Sequence, residues 1–234
     1  VVSGRDIVEV GRYSDLKTSY ATATTVGSSR HWVIPGFVNA HQHGKGLTTF
    51  QLGGKDDCFE ISRFAVEPMA DLDPYLEALY ACKTMIECGI TTCLHYNSAR
   101  SPETYEADVD ERLRAYRDSG IRVAFGLDIR DRNHIVYGDD EFLASLPPSL
   151  REQAASRYGE SRTAAPDDYF RVARRLDDEM NGASDRVRLF LTPAGPQWCT
   201  EELLRTIRRV ATERGLGIQI HVLETKYQRS YFLR

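Results

Sequence analysis

Two short motifs in this chain contain residue types that bind and activate divalent metal ions. The first is His41-Gln42-His43, which directly follows the run Val38-Asn39-Ala40. Side chains two positions apart on a strand point to the same face, so both imidazoles can aim at one cation. An H-x-H pair is also common among solvent-facing and core histidines. Taken alone, this motif leaves both interpretations open.

The second motif is His221-Val222-Leu223-Glu224, which closes another apolar run. A polar ring at the end of a buried strand is costly to desolvate unless it has a partner. On a regular strand Glu224 faces away from His221, and both reach one pocket only where the chain leaves the pleat. This motif too is ambiguous alone. Together, two or three histidines and one non-ligating carboxylate match a catalytic metal site with an open position for water.

Short apolar runs alternate with amphipathic stretches, a pattern that predicts an α/β fold with a parallel sheet. The predicted strands span residues 33–40, 90–96, 123–129, 187–192 and 218–222, and the main helices span 73–89, 103–119 and 200–215. Both motifs then fall at carboxyl ends of parallel strands, where α/β barrels place their active sites. Residues 139–166, with Pro147-Pro148 near the middle, predict an insertion that is helical over 150–157.

The first 32 residues differ from the rest. Val8-Glu9-Val10-Gly11, followed by Ser14-Asp15-Leu16, has the pattern of a hairpin, and residues 18–25 are rich in small and β-branched side chains. We therefore expect residues 1–32 to be part of a small flanking β domain and residues 33–234 to belong to the barrel.

Composition excludes several classes of function. The formal net charge of -4 and pI near 5.9 give no support for a nucleic-acid partner. No run approaches the ~20 apolar residues of a membrane span, and the start has no signal-peptide pattern. The five cysteines include no C-x-x-C pair. Free thiols in a reducing cytoplasm are therefore predicted.

Residues 33–43 (VIPGFVNAHQH) resemble the first-strand signature of the amidohydrolase superfamily. Residues 218–225 (IQIHVLET) resemble the fifth strand of its aminohydrolase branch, which contains cytosine, guanine and S-adenosylhomocysteine deaminases and triazine hydrolases. Gly89-Ile90-Thr91-Thr92 is similar to the second strand of that branch, and residues 1–33 to its flanking domain. The resemblance covers essentially the whole chain. It implies a (β/α)8 TIM-like barrel, with about five of the eight strands in these residues.

The resemblance also implies roles for the two motifs. His41, His43 and His221 match the metal ligands, and Glu224 matches the carboxylate that moves protons between water, a substrate ring nitrogen and leaving ammonia. The predicted fourth strand has no lysine, whereas two-metal members carry a carbamylated lysine there. The implied cofactor is therefore one divalent metal, with zinc favoured over iron. The implied reaction is hydrolytic deamination of an aminated nitrogen heterocycle.

The tract that follows the fourth strand departs from the branch. Many deaminases have a histidine there, whereas this chain has Ala194-Gly195-Pro196-Gln197-Trp198. Gln197 or Trp198 is the candidate replacement for its substrate contact. Trp198 fits stacking on a flat substrate and core packing beneath the loop equally well.

The family's sixth-strand histidine and eighth-strand aspartate have no counterparts in these 234 residues. Five strands cannot close an eight-stranded barrel, so we expect uncovered inner side chains at Val38, Leu94, Phe125, Leu191 and Ile220. The expected arrangement is a homo-oligomer, or dependence on a C-terminal half.

Two other functions stay open. One is hydrolysis of a different C–N or C–halogen bond, in a triazine-like or amide substrate. The other is a catalytically inactive fragment that acts as a binding module. Among the remaining histidines, we expect His95 in the core or rim, His134 in a surface loop, and His31 in a structural position.

Overall fold

The computed structural model of the chain describes residues 1–28, 30–55, 57–66, 72–98, 100–159, 163–180 and 185–233. It forms two compact units, Val1–Pro35 and Gly36–Arg234.

The first unit begins with an antiparallel hairpin of strands β1 (Val2–Ser3) and β2 (Asp6–Ile7), followed by helix α1 (Tyr13–Ser19). The hairpin predicted over residues 8–16 was wrong in position. Ser14, Asp15 and Leu16 are helical, and Asp15 lies in the first helical turn, where a negative charge interacts favourably with the helix dipole. The flanking β domain predicted over residues 1–32 stays a prediction in its extent.

The second unit contains a five-stranded parallel sheet. Its strands are β3 (Phe37–Gln42), β4 (Ile90–Tyr96), β5 (Arg122–Ile129), β6 (Val187–Pro193) and β7 (Gly217–Ile218). Their spatial order is their order along the chain, and every neighbouring pair is parallel. The predicted α/β fold with a parallel sheet is therefore confirmed.

Two strands are shorter than predicted. The first begins at Phe37 rather than residue 33, after Pro35, which has no N–H to donate. The fifth ends at Ile218 rather than Val222. Residues 219–224 thus leave the sheet early, at the position of the second motif.

Eight helices described in this unit connect and cover the strands. They are α2 (Phe59–Val66), α3 (Pro74–Glu87), α4 (Tyr105–Ser119), α5 (Asp139–Ser145), α6 (Pro148–Tyr158), α7 (Pro166–Met180), α8 (Glu201–Arg214) and α9 (Lys226–Phe232). Local signals set the boundaries: the Asp73 side chain accepts a hydrogen bond from the Leu76 N–H at the start of α3. Gly215, at φ +67°, ends α8. The predicted helix in the insertion is α6.

The hydrophobic core lies between the sheet and its helices. Alternate strand residues, including Cys93 of β4, Phe125 of β5 and Leu191 of β6, pack there against α3, α4, α7 and α8. The expectation that Phe125 and Leu191 lie uncovered on the inner face was wrong, because strand alternation turns them toward the helices. Val38 is exposed, as expected for the opposite face.

Candidate metal centre

Three imidazoles converge where β3 ends and the chain leaves β7. The Nε2 atom of His41 lies 3.3 Å from Nε2 of His43 and 3.3 Å from Nε2 of His221. One ring nitrogen from each histidine lies within 4.8 Å of the other two. The structure therefore brings together the three residues that the two motifs single out.

The separations fit a shared cation. Two nitrogens bound to one tetrahedral zinc at ~2.0–2.1 Å lie about 3.4 Å apart. The observed 3.3 Å from His41 to each of the other two histidines matches that value. Neutral imidazole nitrogens suit zinc, iron and other first-row metals. The donor set and its spacing thus fit a single divalent ion with at least one open position.

Burial keeps two of these rings, those of His43 and His221, in the deprotonated form that binds metal. Burial, together with the positive charges that His41 and His221 can carry, lowers the pKa of His43 to about 4. Burial likewise lowers the pKa of His221, while the negative charge of Glu224 acts in the opposite direction. Since metal binds only the deprotonated ring, these shifts favour binding at neutral pH.

Gln42 fixes the backbone between the two histidines of the first motif. Its side chain points to the helix-covered face, where Nε2 donates to the Tyr116 hydroxyl at 2.6 Å. The same hydroxyl lies 2.7 Å from Nδ1 of His95, which is fully buried. His95 is therefore a core residue, the position that the sequence favoured. The contacts among Gln42, Tyr116 and His95 hold the end of β3 from the helix-covered face of the sheet.

Gly44 lets the chain turn directly after the second histidine. Its φ is +68°, and a Cβ at this position would lie 2.2 Å from Cε1 of His95. Its N–H also donates to the Gln42 side chain. Only glycine fits both the left-handed conformation and the close approach.

Two further side chains border the cluster. Nδ1 of His43 lies 3.1 Å from the Ser98 hydroxyl, so a ring that binds metal through Nε2 can donate its Nδ1 proton to Ser98. The ring of Tyr96 packs with centroids 4.9 Å from His43 and 4.3 Å from His221. Sequence reasoning missed both residues. Their position at the carboxyl end of β4 was the signal that could have identified them.

Glu224 follows the cluster on the irregular segment beyond β7. Leu223 adopts a left-handed conformation, with φ +56°, between His221 and Glu224. On a regular strand the Glu224 side chain would face away from His221, and this departure from the pleat removes that restriction. Its carboxylate is outside the group of three imidazoles described above. Oε2 instead accepts a hydrogen bond from Nε2 of Gln228 at 3.2 Å.

Gln197 and Trp198 are both buried, at 0% and 6% exposure. The Trp198 ring packs against Phe59 and Tyr137, with centroids 5.7 and 6.1 Å away. This is the core packing that was one of its two interpretations. Substrate binding by Gln197 and Trp198 stays a prediction.

Polar side chains also occupy the inner face of the sheet near the same edge. Asn97, directly after β4, donates through Nδ2 to Oδ1 of Asp128 on β5 at 2.7 Å. Asp128 pairs in register with Thr192 of β6, and both are buried. Period-two alternation within the predicted strands was the signal that would have found Asp128 and Thr192.

The remaining histidines lie elsewhere. His134 is in the loop after β5, where the backbone N–H groups of His134 and Ile135 donate to the Asp139 carboxylate. His31 lies in the first unit, with Nδ1 2.9 Å from the Ser28 hydroxyl.

A sequence profile described as the amidohydrolase family matches residues 32–234. The chain therefore belongs to the amidohydrolase family. It is 27% identical over 234 residues to the 5′-deoxyadenosine deaminase of Methanosarcina barkeri, covering 96% of this chain and 45% of that protein. The chain thus spans less than half the length of this curated relative.

Solved structures share the fold. An adenosine deaminase from Xanthomonas campestris with bound zinc superimposes with a TM-score of 0.58 at 18% identity, covering 82% of this chain and 37% of that one. A mutant atrazine chlorohydrolase from Arthrobacter aurescens, complexed with zinc and atraton, gives 0.57 at 18% identity, with 80% and 40% covered. The sheet is therefore part of a TIM-like barrel, as predicted. No helix among the described residues has the length and apolarity to cross a membrane.

Proposed function

We propose that this chain supplies the metal-binding part of an active site that deaminates an aminated nitrogen heterocycle by hydrolysis. The observation that carries the proposal is the convergence of His41, His43 and His221 at the carboxyl edge of the sheet, where the negative charge of Glu224 acts on His221. Membership of the amidohydrolase family and the likeness to a 5′-deoxyadenosine deaminase support the reaction class.

The three imidazoles would hold one divalent ion. A bound ion of this kind acts as a Lewis acid that lowers the pKa of water toward 7 and so supplies a nucleophile near neutral pH. We propose zinc, because the nitrogen spacing fits its tetrahedral geometry and the chain resembles zinc-containing structures in fold.

Glu224 is proposed to carry the protons of the reaction. It accepts a proton from the water that adds to the ring carbon bearing the amino group, and it delivers a proton to the adjacent ring nitrogen. Glu224 then takes the second proton from the hydroxyl group that the water has become and passes it to the amino nitrogen, so that the C–N bond breaks and the nitrogen leaves as ammonia. The products are the oxo-heterocycle and ammonia. The exposed position of Glu224 favours a role in proton transfer over a role as a metal ligand.

Gln197 and Trp198 are proposed to contact the substrate from the loop after β6. Both amide atoms of Gln197 are buried with no hydrogen-bond partner among the described residues. A buried amide of this kind offers a donor and an acceptor that a heterocycle can satisfy.

We further propose action in the cytoplasm, as a homo-oligomer or together with further barrel strands. All five cysteines are free thiols, which supports a reducing compartment. Among the described residues β3 pairs only with β4, and β7 only with β6. Each therefore offers an unpaired edge to additional strands.

Product analysis tests this function. The zinc-loaded protein is incubated with 5′-deoxyadenosine, adenosine and atrazine, and ammonia and chloride are measured separately. Ammonia release from an aminated purine, absent in a His41→Ala protein, is the expected result. Release of chloride without ammonia would indicate that the protein removes a halide and does not deaminate. Metal binding with neither product would indicate a binding module.

A further inference from the structure

Helix α9 has one buried polar side chain, whereas its apolar neighbours are exposed. Of the residues described in this helix only Gln228 is buried, with no exposed surface, although a long polar side chain is costly to bury. Tyr227 and Phe232 of the same helix, both apolar in large part, are exposed. Hydrophobicity therefore does not explain this orientation, so the contacts of the amide must.

Both ends of the Gln228 amide contact Glu224. Oε1 accepts a hydrogen bond from the Glu224 N–H at 2.9 Å, and Nε2 donates to Oε2 of Glu224 at 3.2 Å. One side chain thus holds the backbone and the carboxylate of the same residue. An amide is the group suited to this, since it offers a donor and an acceptor without charge.

The Gln228 contacts continue to two other segments. The Gln228 N–H donates to the Thr225 hydroxyl at 3.2 Å, and that hydroxyl donates to Oε1 of Glu60 at 2.5 Å. The Tyr137 hydroxyl also lies 3.1 Å from Oε1 of Glu60. The turn after β7 is therefore tied to the segments that follow β3 and β5, so its position is set by the barrel.

We propose that Gln228 is a positioning residue that orients the Glu224 carboxylate for proton transfer. The proposal rests on the function proposed above, and it assigns Gln228 no contact with the substrate. Leu223 gives Glu224 its direction by a left-handed turn, and Gln228 holds that direction. Because Oε2 of Glu224 is engaged by Gln228, its other oxygen is the one that exchanges protons.

The test is a double-mutant cycle on the zinc-loaded protein with 5′-deoxyadenosine as the probe. Gln228→Met keeps the side-chain volume and removes both hydrogen bonds. We expect kcat to fall at least ~10-fold with KM and zinc content within about twofold, because a misplaced catalytic group slows the chemical step. Combined with Glu224→Gln, the Gln228→Met change should lower kcat no further.

Two controls keep the outcomes distinct. Gln153→Met, in the exposed helix α6, should leave kcat unchanged. If Gln228→Met fails to fold, Gln228→Glu takes its place in the test. This variant keeps an acceptor for the Glu224 N–H, but its negative charge repels the Glu224 carboxylate, and it should also lower kcat. Full turnover in a folded Gln228 variant, or equal losses with and without Glu224, overturns the inference. Full turnover in Glu224→Gln itself overturns the proposed function instead.

Discussion

The Nε2 atoms of His41 and His221 lie 3.3 Å apart although 180 positions separate the two residues. His41 belongs to β3, the first strand of the sheet, and His221 follows β7, the last. Since the sheet order is β3-β4-β5-β6-β7, the two edges approach each other only because the sheet curls. A cation held by both residues would tie the two edges together.

Metal binding should therefore stabilise the folded protein. We expect zinc added to the apoprotein to raise the free energy of unfolding by about 2.7 kcal/mol at a hundredfold excess over Kd, visible as a higher Tm. His221→Ala should lose bound zinc and most of this gain. His31→Ala, a histidine of the first unit, is the matched control and should keep both. Equal zinc content in the two variants would remove His221 from the ligand set.

Glu224→Gln separates proton transfer from metal binding. We expect zinc content to stay near that of the unmodified protein, because Glu224 lies outside the imidazole group. Turnover should fall at least ~10²-fold, the low end for a general acid or base. Zinc is measured by elemental analysis and ammonia by a coupled assay. Loss of zinc in this variant would instead make Glu224 a ligand.

Gly44→Ala should destabilise the protein by about 1–3 kcal/mol or more, since a Cβ meets Cε1 of His95 and the left-handed conformation is strained. Gly53→Ala is the control: its φ of +89° imposes similar strain, but no atom of the residues that the structure describes lies within 4 Å of the added Cβ. Denaturant midpoints of both variants give the measurement. The difference between them isolates the clash with His95, and equal midpoints would contradict it.

The apoprotein should lose stability as the pH falls from about 6.5 to about 4. Burial lowers the pKa of His43 to about 4, so in this window the unfolded chain binds a proton that the folded chain does not. His95 and His221, whose pKa values burial also lowers, act in the same direction. Replacing His43 with Gln should make the slope shallower. Free energies of unfolding measured from pH 4 to 8 test this, and an unchanged slope would contradict it.

Tyr116→Phe should cost about 1–3 kcal/mol, because it removes the hydroxyl that pairs with both Gln42 and His95 and leaves buried polar atoms unsatisfied. Tyr75→Phe removes a hydroxyl bonded to Asp118 on the surface and should change stability by less than ~0.5 kcal/mol. Urea denaturation distinguishes the two. A larger effect at Tyr75 would be inconsistent with a supporting network behind the strand end.

The parallel strands and the histidine cluster were predictable from the sequence because each depends on local pattern. Apolar runs mark strands, and parallel strands share an edge where their terminal residues meet. The support of the cluster was not predictable. The Gln42–Tyr116–His95 contacts join β3, α4 and β4, which only packing brings together. The misplaced hairpin has another cause, since β1 and β2 have two residues each and give little pattern.

The turn between His221 and Glu224 was equally beyond sequence reasoning. Leucine rarely adopts positive φ, so nothing in the residue types predicts the conformation of Leu223. The early end of β7 is a related case, because Ile220 and Val222 are good strand formers. Neither has a strand partner among the described residues, and both are exposed. Tertiary context overrides propensity at this position.

Alternation along β5 and β6 separates two kinds of mutational tolerance. Phe125, Leu127 and Leu191 support the helix-covered core, and shortening any of them to alanine costs about 2–5 kcal/mol. Their sequence neighbours Asp128 and Thr192 face the other way, toward the side of the cluster. Exchanges there alter the polar groups near the site and open no cavity in the core. In such a half-barrel, the polar residues of the inner face can be exchanged without shortening any apolar side chain of the core.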